Sequence, residues 1–218
     1  MRISNRPVLV WPVLLLGAAV GAGGCQAMYF MTDPDQQKQV KAEYSKIGDR
    51  KMAVVVWADQ ATIDMYPRAR MHVAKAVVYY LSKNVPKARL VEPEEVEAIQ
   101  ARGRDWEGWS NRQLAEKLQC DLILRIDLLD YTTRAGGARE LRKGRVRGTL
   151  HLYDVAQDEG RESVYQSEVA VTYPPGSIHG VPDLDDDQMF HETVDLFGQT
   201  VARKFYDHSE SLRGPEKR

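Results

Sequence analysis

The sequence predicts an α/β-class domain of the mixed α+β kind: a mixed sheet of about five strands covered by helices, in the order β-α-β-α-α-β-β-β-α. Three observations carry this. A continuous β-branched run, MAVVVW, opens a first half in which short strands alternate with helical-period stretches. The second half alternates apolar and polar residues through three successive strands. A last stretch with helical spacing closes the chain. Each element has one apolar face that needs a partner, and one sheet packed with helices satisfies all of them.

The elements follow in order. Met52–Trp57 reads as a strand buried on both faces, because it has no polar alternation. Asp64–Asn84 carries Met65, Val73, Ala74, Val77, Val78 and Leu81, one apolar stripe on a helix. Pro67 suits its first turn and Pro86 blocks its continuation. Ala88–Val91 is a short strand. PEEVEAIQAR, from Pro93, is a short helix with acids at its positive end. Gly103–Gly108 is a loop with Trp106, and Trp106 and Trp109 read either as hydrophobic plugs or as an exposed partner contact. Ser110 caps a helix bearing Leu114 and Leu118. Leu122, Leu124, Ile126 and Leu128 form one face of a strand, and Val146, Gly148, Leu150 and Leu152 one face of the next. The two form an antiparallel hairpin. Gln157–Gly160 is a turn, Glu162–Tyr173 a third strand, and about Asp187–Tyr206 the closing helix.

Composition bounds the function. The chain has 218 residues, with 30 basic against 31 acidic, a net charge of -1. No basic excess points to nucleic acid, and two cysteines are too few for a disulfide framework. The length suits one domain with extensions.

The amino terminus sets an address. Arg2 and Arg6 precede the uncharged run Val8–Val20, which ends in Gly21, Ala22, Gly23, Gly24 and Cys25. A charged start, a short apolar core and a small-residue end describe a secretory signal peptide. An uncleaved anchor is the competing reading, but the whole uncharged stretch Pro7–Gly24 is at the lower edge of the about 20 residues that span a bilayer. Pro12 and four late glycines also weaken it as a permanent helix. Ala22-Gly23-Gly24-Cys25 resembles the lipobox of bacterial lipoproteins, departing from its usual Leu three positions before the cysteine. The resemblance implies cleavage before Cys25 and acylation of its sulfur. Two or more acyl chains anchor a protein stably, at about 0.8 kcal/mol per buried methylene. In Gram-negative lipoproteins an Asp after the cysteine favours retention at the inner membrane; by that resemblance Gln26 implies the outer membrane, facing the periplasm. The expected organisation is a signal peptide (1–24), a lipidated tether (25–50) with a short helix near Gln36–Lys46, a mixed domain (51–207) and a disordered tail (208–218). Without Arg2 and Arg6 the remaining chain has 28 basic and 31 acidic residues, a net of -3.

AVVVW, LAEKLQCDLILRIDLLDY and TLHLYDVAQDEGRESVYQSE resemble a group of envelope proteins. The group comprises the amino-terminal domain of the TolB protein, the curli-secretion channel lipoprotein and the penicillin-binding-protein activator lipoproteins. In it a helix ending in Ala or Cys then Asp enters a strand, and a later strand ends in a D-x-x-x-G turn. Here these are Ala115–Asp121 and Asp154–Gly160, the turn one or two residues longer. The resemblance spans about Met52–Tyr206. It implies an adaptor or assembly role and no catalysis, and no cofactor is expected.

The residues themselves nominate little chemistry. GGARELRKG, Gly136–Gly144, lacks the GK[ST] ending of a phosphate loop. His191-Glu192 is half of a zinc-protease motif, with Asp195 where a second imidazole would be needed. Asp183, Asp185, Asp186 and Asp187 offer hard oxygens for calcium, or a capping box of Asp185 with Gln188. Cys120, before a strand, reads as a small buried hydrophobe. Arg134, Arg139, Arg142, Lys143, Arg145 and Arg147 form the strongest local charge feature, opposed only by Glu140. They read as a solvated hairpin tip or as a contact for an anionic partner or lipid headgroup. No residue is nominated as catalytic or as a metal ligand. The functional expectation is a lipid-anchored envelope protein that binds another envelope protein. An oligomeric export component and an envelope hydrolase are the alternatives.

Overall fold

The computed structural model describes residues 37–103, 105–134, 142–176 and 184–211. Cys25, Arg139 and Asp183 lie outside them. The elements are β1 (Gln37–Val40), β2 (Lys51–Trp57), α1 (Gln60–Met65), α2 (Ala69–Asn84), β3 (Arg89–Leu90), α3 (Pro93–Gln100), α4 (Asn111–Leu118), β4 (Leu122–Arg134), β5 (Arg142–Asp154), β6 (Ser163–Tyr173), α5 (Asp186–Arg203) and β7 (His208–Ser211). Short 3-10 turns cover Asp105–Gly108 and Asp158–Gly160.

The main sheet has five strands in the order β3-β2-β4-β5-β6. β2 runs parallel to both β3 and β4, while β4, β5 and β6 form an antiparallel meander. The predicted mixed α+β class is therefore present, with one helix and two flanking strands added to the predicted order. The two parallel connections cross on opposite faces. α2 covers the face of Met52, Val54 and Val56, whereas α3, the turn at Trp106 and α4 cover the face of Ala53, Val55 and Ile123. α5 returns beside α2 and packs on β5 and β6. The parallel half is thus three layers deep and the antiparallel half two.

One irregularity keeps β4 in phase. The pairing shifts between Leu128 and Asp130, leaving Leu129 more than half exposed. The extra residue lets both Leu128 and Tyr131 face the same core, three positions apart, where a regular strand would turn one of them outward.

Three expectations are corrected. The helix expected over Asp64–Asn84 is two helices broken at Tyr66–Arg68. Pro67 has no N–H to give to a preceding turn, and it holds Tyr66 in non-helical geometry (φ -134, ψ 76). α1 has its own cap, Asp59, whose carboxylate accepts the Thr62 N–H at 2.7 Å. Second, the helix expected near Gln36–Lys46 is replaced by β1, and the tail expected to be disordered from 208 begins with β7. The two strands pair antiparallel, Gln37 opposite Ser211 and Val40 opposite His208. The polar sequences QKQV and HSES have no apolar period, so only their pairing makes them strands. Neighbouring bonds hold this ribbon to the domain: Lys41 to Asp207 at 2.6 Å, the Ala42 N–H to Asp207 at 3.0 Å, and the Tyr44 N–H to the Lys204 carbonyl at 3.0 Å. Third, the closing helix ends at Arg203 rather than Tyr206.

Candidate functional site

Three basic residues of the hairpin fall in ion pairs. Arg142 meets Asp186 at 2.9 Å, Arg145 meets Asp130 at 2.7 Å, and Arg147 lies 3.8 Å from Glu168. Arg134 ends β4 opposite Arg142. Lys143 is also engaged. The strand period places Arg145 and Arg147 on the sheet face that α5 does not cover, beside Arg125, Asp127 and His151. Arg125 and Asp127 pair at 2.8 Å on that face. It is a mixed-charge surface, not a field of one sign.

The acidic run is divided in the same way. Asp185 caps α5, accepting the Gln188 N–H at 2.7 Å while Gln188 reaches back to the Asp185 N–H. Asp186 takes Arg142 and the Thr133 hydroxyl at 3.2 Å. Asp187 stands apart, on a groove described below. Among the described residues no group of three or more His, Cys, Asp or Glu side chains is placed to hold a metal ion.

The two motif stretches, Ala115–Asp121 and Asp154–Gly160, are structural joints. The Asp121 carboxylate accepts the Lys51 N–H at 2.9 Å, and the Asp121 N–H donates to the Lys51 carbonyl at 2.8 Å. That locks the starts of β2 and β4 in register. Asp154, 2 % exposed, accepts a hydrogen bond from Arg50 and another from the Ala156 N–H at 3.1 Å. Gly160 has φ +70, a backbone that favours glycine, and its carbonyl accepts from Asn111 at 2.7 Å. Between the two motifs Gln119 ends α4 in the left-handed region (φ 50, ψ 50), which turns the chain into β4. Cys120 follows it, half-buried, its thiol pushed up to about 11 chiefly by burial, so it is not a thiolate nucleophile near neutrality. Trp106 is 4 % exposed and plugs the α3–α4 face, as a hydrophobic filler rather than an exposed contact. Trp109 is half-covered, with the Lys117 ammonium 4.7 Å from its ring centroid.

The feature that sequence reading did not bring together is a groove between α2 and α5. One part, of about 490 Å³, is lined by His72, Lys75, His191, Glu192, Val194 and Asp195. A second, of about 410 Å³, shares His72 and His191 and extends to Met65, Tyr66, Arg68 and Phe190. The helices meet closely beside it: a Cβ on Gly198 would stand 2.6 Å from that of Ala76. The His72 and His191 rings stack at 5.5 Å, and Phe190 presents an edge to His72 at 4.9 Å. Tyr66 and Tyr131 extend the cluster, at 6.1 and 5.3 Å from Phe190. Two buried side-chain atoms among the described residues make no hydrogen bond, His72 Nδ1 and Tyr131 Oη, and both rings touch Phe190. Such atoms cost about 1–3 kcal/mol each. Burial first, then His191, Arg68 and Lys75, hold the His72 imidazole below the ordinary histidine range, with Glu97 opposing them. In sequence the two histidines are 119 positions apart (191 minus 72) on separate helices, and no spacing signals their meeting.

No family model matches the chain. No curated protein matches it either. Among solved structures it is similar to the PelC dodecamer of Paraburkholderia phytofirmans, at 11% identity and a TM-score of 0.46, covering 78% of this chain and 98% of that one. It is also similar to CT253 of Chlamydia trachomatis (13%, TM-score 0.45, 71% and 92% covered). A third is the lipoprotein GNA1162 of Neisseria meningitidis (13%, TM-score 0.39, 56% and 79% covered). At these identities and scores the likenesses assign no function.

Proposed function

We propose that this chain is an envelope lipoprotein, anchored through acylated Cys25, whose domain works by binding another envelope protein rather than by catalysis. The observation that carries the reading is the short spacing between Cys25 and the first described strand. The apolar run and its small-residue end stop at Cys25, and the first described strand starts at Gln37, twelve positions later (37 minus 25). Twelve residues reach at most about 40 Å when extended. A lipid on Cys25 would therefore hold the ribbon of β1 and β7 close to a bilayer. Gln37 pairs with Ser211, so the first and last described residues lie at the same end of that ribbon.

Metabolic labelling of the full chain with a palmitate analogue tests the anchor. Label should enter the native protein and be lost in Cys25→Ala. Label that persists in the variant overturns it. Crosslinking in intact cells followed by mass spectrometry tests the second half. A discrete envelope protein, crosslinked to native chain and not to Cys25→Ala, is the expected result. Turnover of cell-wall material by the purified chain would replace binding with hydrolysis.

A further inference from the structure

Beside the seam between α2 and α5 are two buried polar atoms without hydrogen bonds, one on His72 and one on Tyr131 of β4, both on rings that touch Phe190. We propose that His72 makes this seam sensitive to acid: a proton on its imidazole loosens α2 from α5 around Phe190 while the sheet beneath stays folded. This goes beyond the adaptor reading and holds with or without a lipid on Cys25.

The geometry gives the charged ring nowhere favourable to sit. An imidazolium donates from both nitrogens, and buried Nδ1 has no acceptor within reach. The surrounding charges are mixed, and burial with the cationic groups outweighs the carboxylates. α2 itself supplies Arg68 and Lys75. α5 supplies His191, stacked at 5.5 Å, and the groove carboxylates Asp187, Glu192 and Asp195. Of these, Asp195 accepts the Tyr80 hydroxyl at 2.7 Å and Glu192 faces Tyr173, whose hydroxyl it helps push up after burial. α3 supplies Glu97, which favours the charge, and Glu94, which ties up Lys75 at 2.7 Å. Tyr66 and Tyr131, from the turn before α2 and from β4, bring aromatic surface and neutral hydroxyls, that of Tyr66 taken by Thr133 at 3.2 Å. The folded seam therefore prefers neutral His72. Its contribution to stability is whole above the ordinary histidine pKa of about 6.5 and is lost as pH falls below it.

Why the loss should stay local follows from the packing. Phe190 is only partly buried, and it bridges His72, Tyr66 and Tyr131 at the open end of the helix pair. The close approach of Ala76 and Gly198 and the buried Phe197 lie further along both helices and hold no titrating group. Opening at the histidines would free the unbonded Tyr131 hydroxyl to water and leave β4 paired on both sides.

Hydrogen exchange of the full chain at pH 7.5 and 5.5, corrected for the intrinsic pH dependence of exchange, tests this. Protection over 69–76 and 186–194 should fall several-fold relative to 123–128 in β4. His72→Phe, which stays neutral and keeps a ring against Phe190, should abolish that relative loss. His72→Gln, a second neutral variant, gives the same reading should the larger ring disturb folding. Parallel change of seam and β4 in the native chain overturns the proposal. So does a seam-specific loss that survives in either variant.

Discussion

β4 and β5 lie side by side in one sheet, yet consecutive residues have different fates in them. In β4, Leu122, Ile123 and Leu124 are all fully buried, because α2 lies over one face and α4 with Trp106 over the other. In β5, Leu150 and Leu152 are fully buried while Arg145 and Arg147 between the buried positions face solvent. The difference is one of connection. Parallel strands need crossover helices, and two crossovers on opposite faces bury β2 and the start of β4 from both sides. Antiparallel neighbours need only turns, so β5 and β6 receive one covering helix, α5. An unbroken apolar run and an apolar-polar alternation are thus two readouts of the number of layers.

The sharpest way to break this comparison is to truncate both faces of β4. Ile123→Ala and Leu124→Ala should each cost about 2–5 kcal/mol, measured by urea unfolding, since each leaves a cavity on its own side. An Ile123 variant within about 0.5 kcal/mol of native would mean that the second helical layer contributes no packing. The next largest effect lies where the halves join. Arg50 bonds to Asp154, whose side chain is 3 % exposed, at the end of β5. Arg50→Met should cost about 3 kcal/mol, because the carboxylate stays buried with the Ala156 N–H as its remaining donor. Asp154→Asn should cost less, since a neutral amide needs less compensation. The reverse order would show that the guanidinium, not the carboxylate, is the group that needs its partner.

Much of this architecture was legible because it is written in local periods. MAVVVW, LILRIDL and VRGTLHLYD each display their number of covered faces, and the cap at Asp185–Gln188 is a local pattern that the fold keeps. What stayed hidden depends on distant partners. QKQV and HSES become strands only by meeting each other. The charge of the basic hairpin looked available because its opponents, Asp130, Glu168 and Asp186, come from three other segments. Pro67 was readable as a helix start, but the separate helix before it rests on Asp59, which caps without an apolar period behind it. The stacked histidines required the crossing of two helices that meet only because the sheet brings them together.

A smaller effect is expected at the edge of the second layer. α4 is held by a full capping box, in which Ser110 accepts the Gln113 N–H and the Gln113 side chain accepts the Ser110 N–H. Ser110→Ala should cost about 1 kcal/mol. Because α4 covers the parallel half alone, hydrogen exchange should rise over 111–118 and leave α5 unchanged. Equal loosening of both helices would mean the two layers do not act separately.

The smallest effect belongs to the open face, and there the direction of the salt response is the informative part. Arg147 lies 3.8 Å from Glu168 with both side chains about half exposed (49% and 58%). Water competes for both charges, so the pair contributes about 0–1 kcal/mol, and Arg147→Ala should fall at the low end of that range. The backbone at this point is fixed independently, since Arg147 pairs in register with Asp130 on one side and Ala170 on the other. Raising salt from low to physiological strength should shrink even this difference, because exposed charges are screened over about 8 Å. A loss comparable to Ile123→Ala would show instead that the open face is covered in the working protein. The two halves of the sheet would then be equally deep, with a partner rather than a helix as the missing layer.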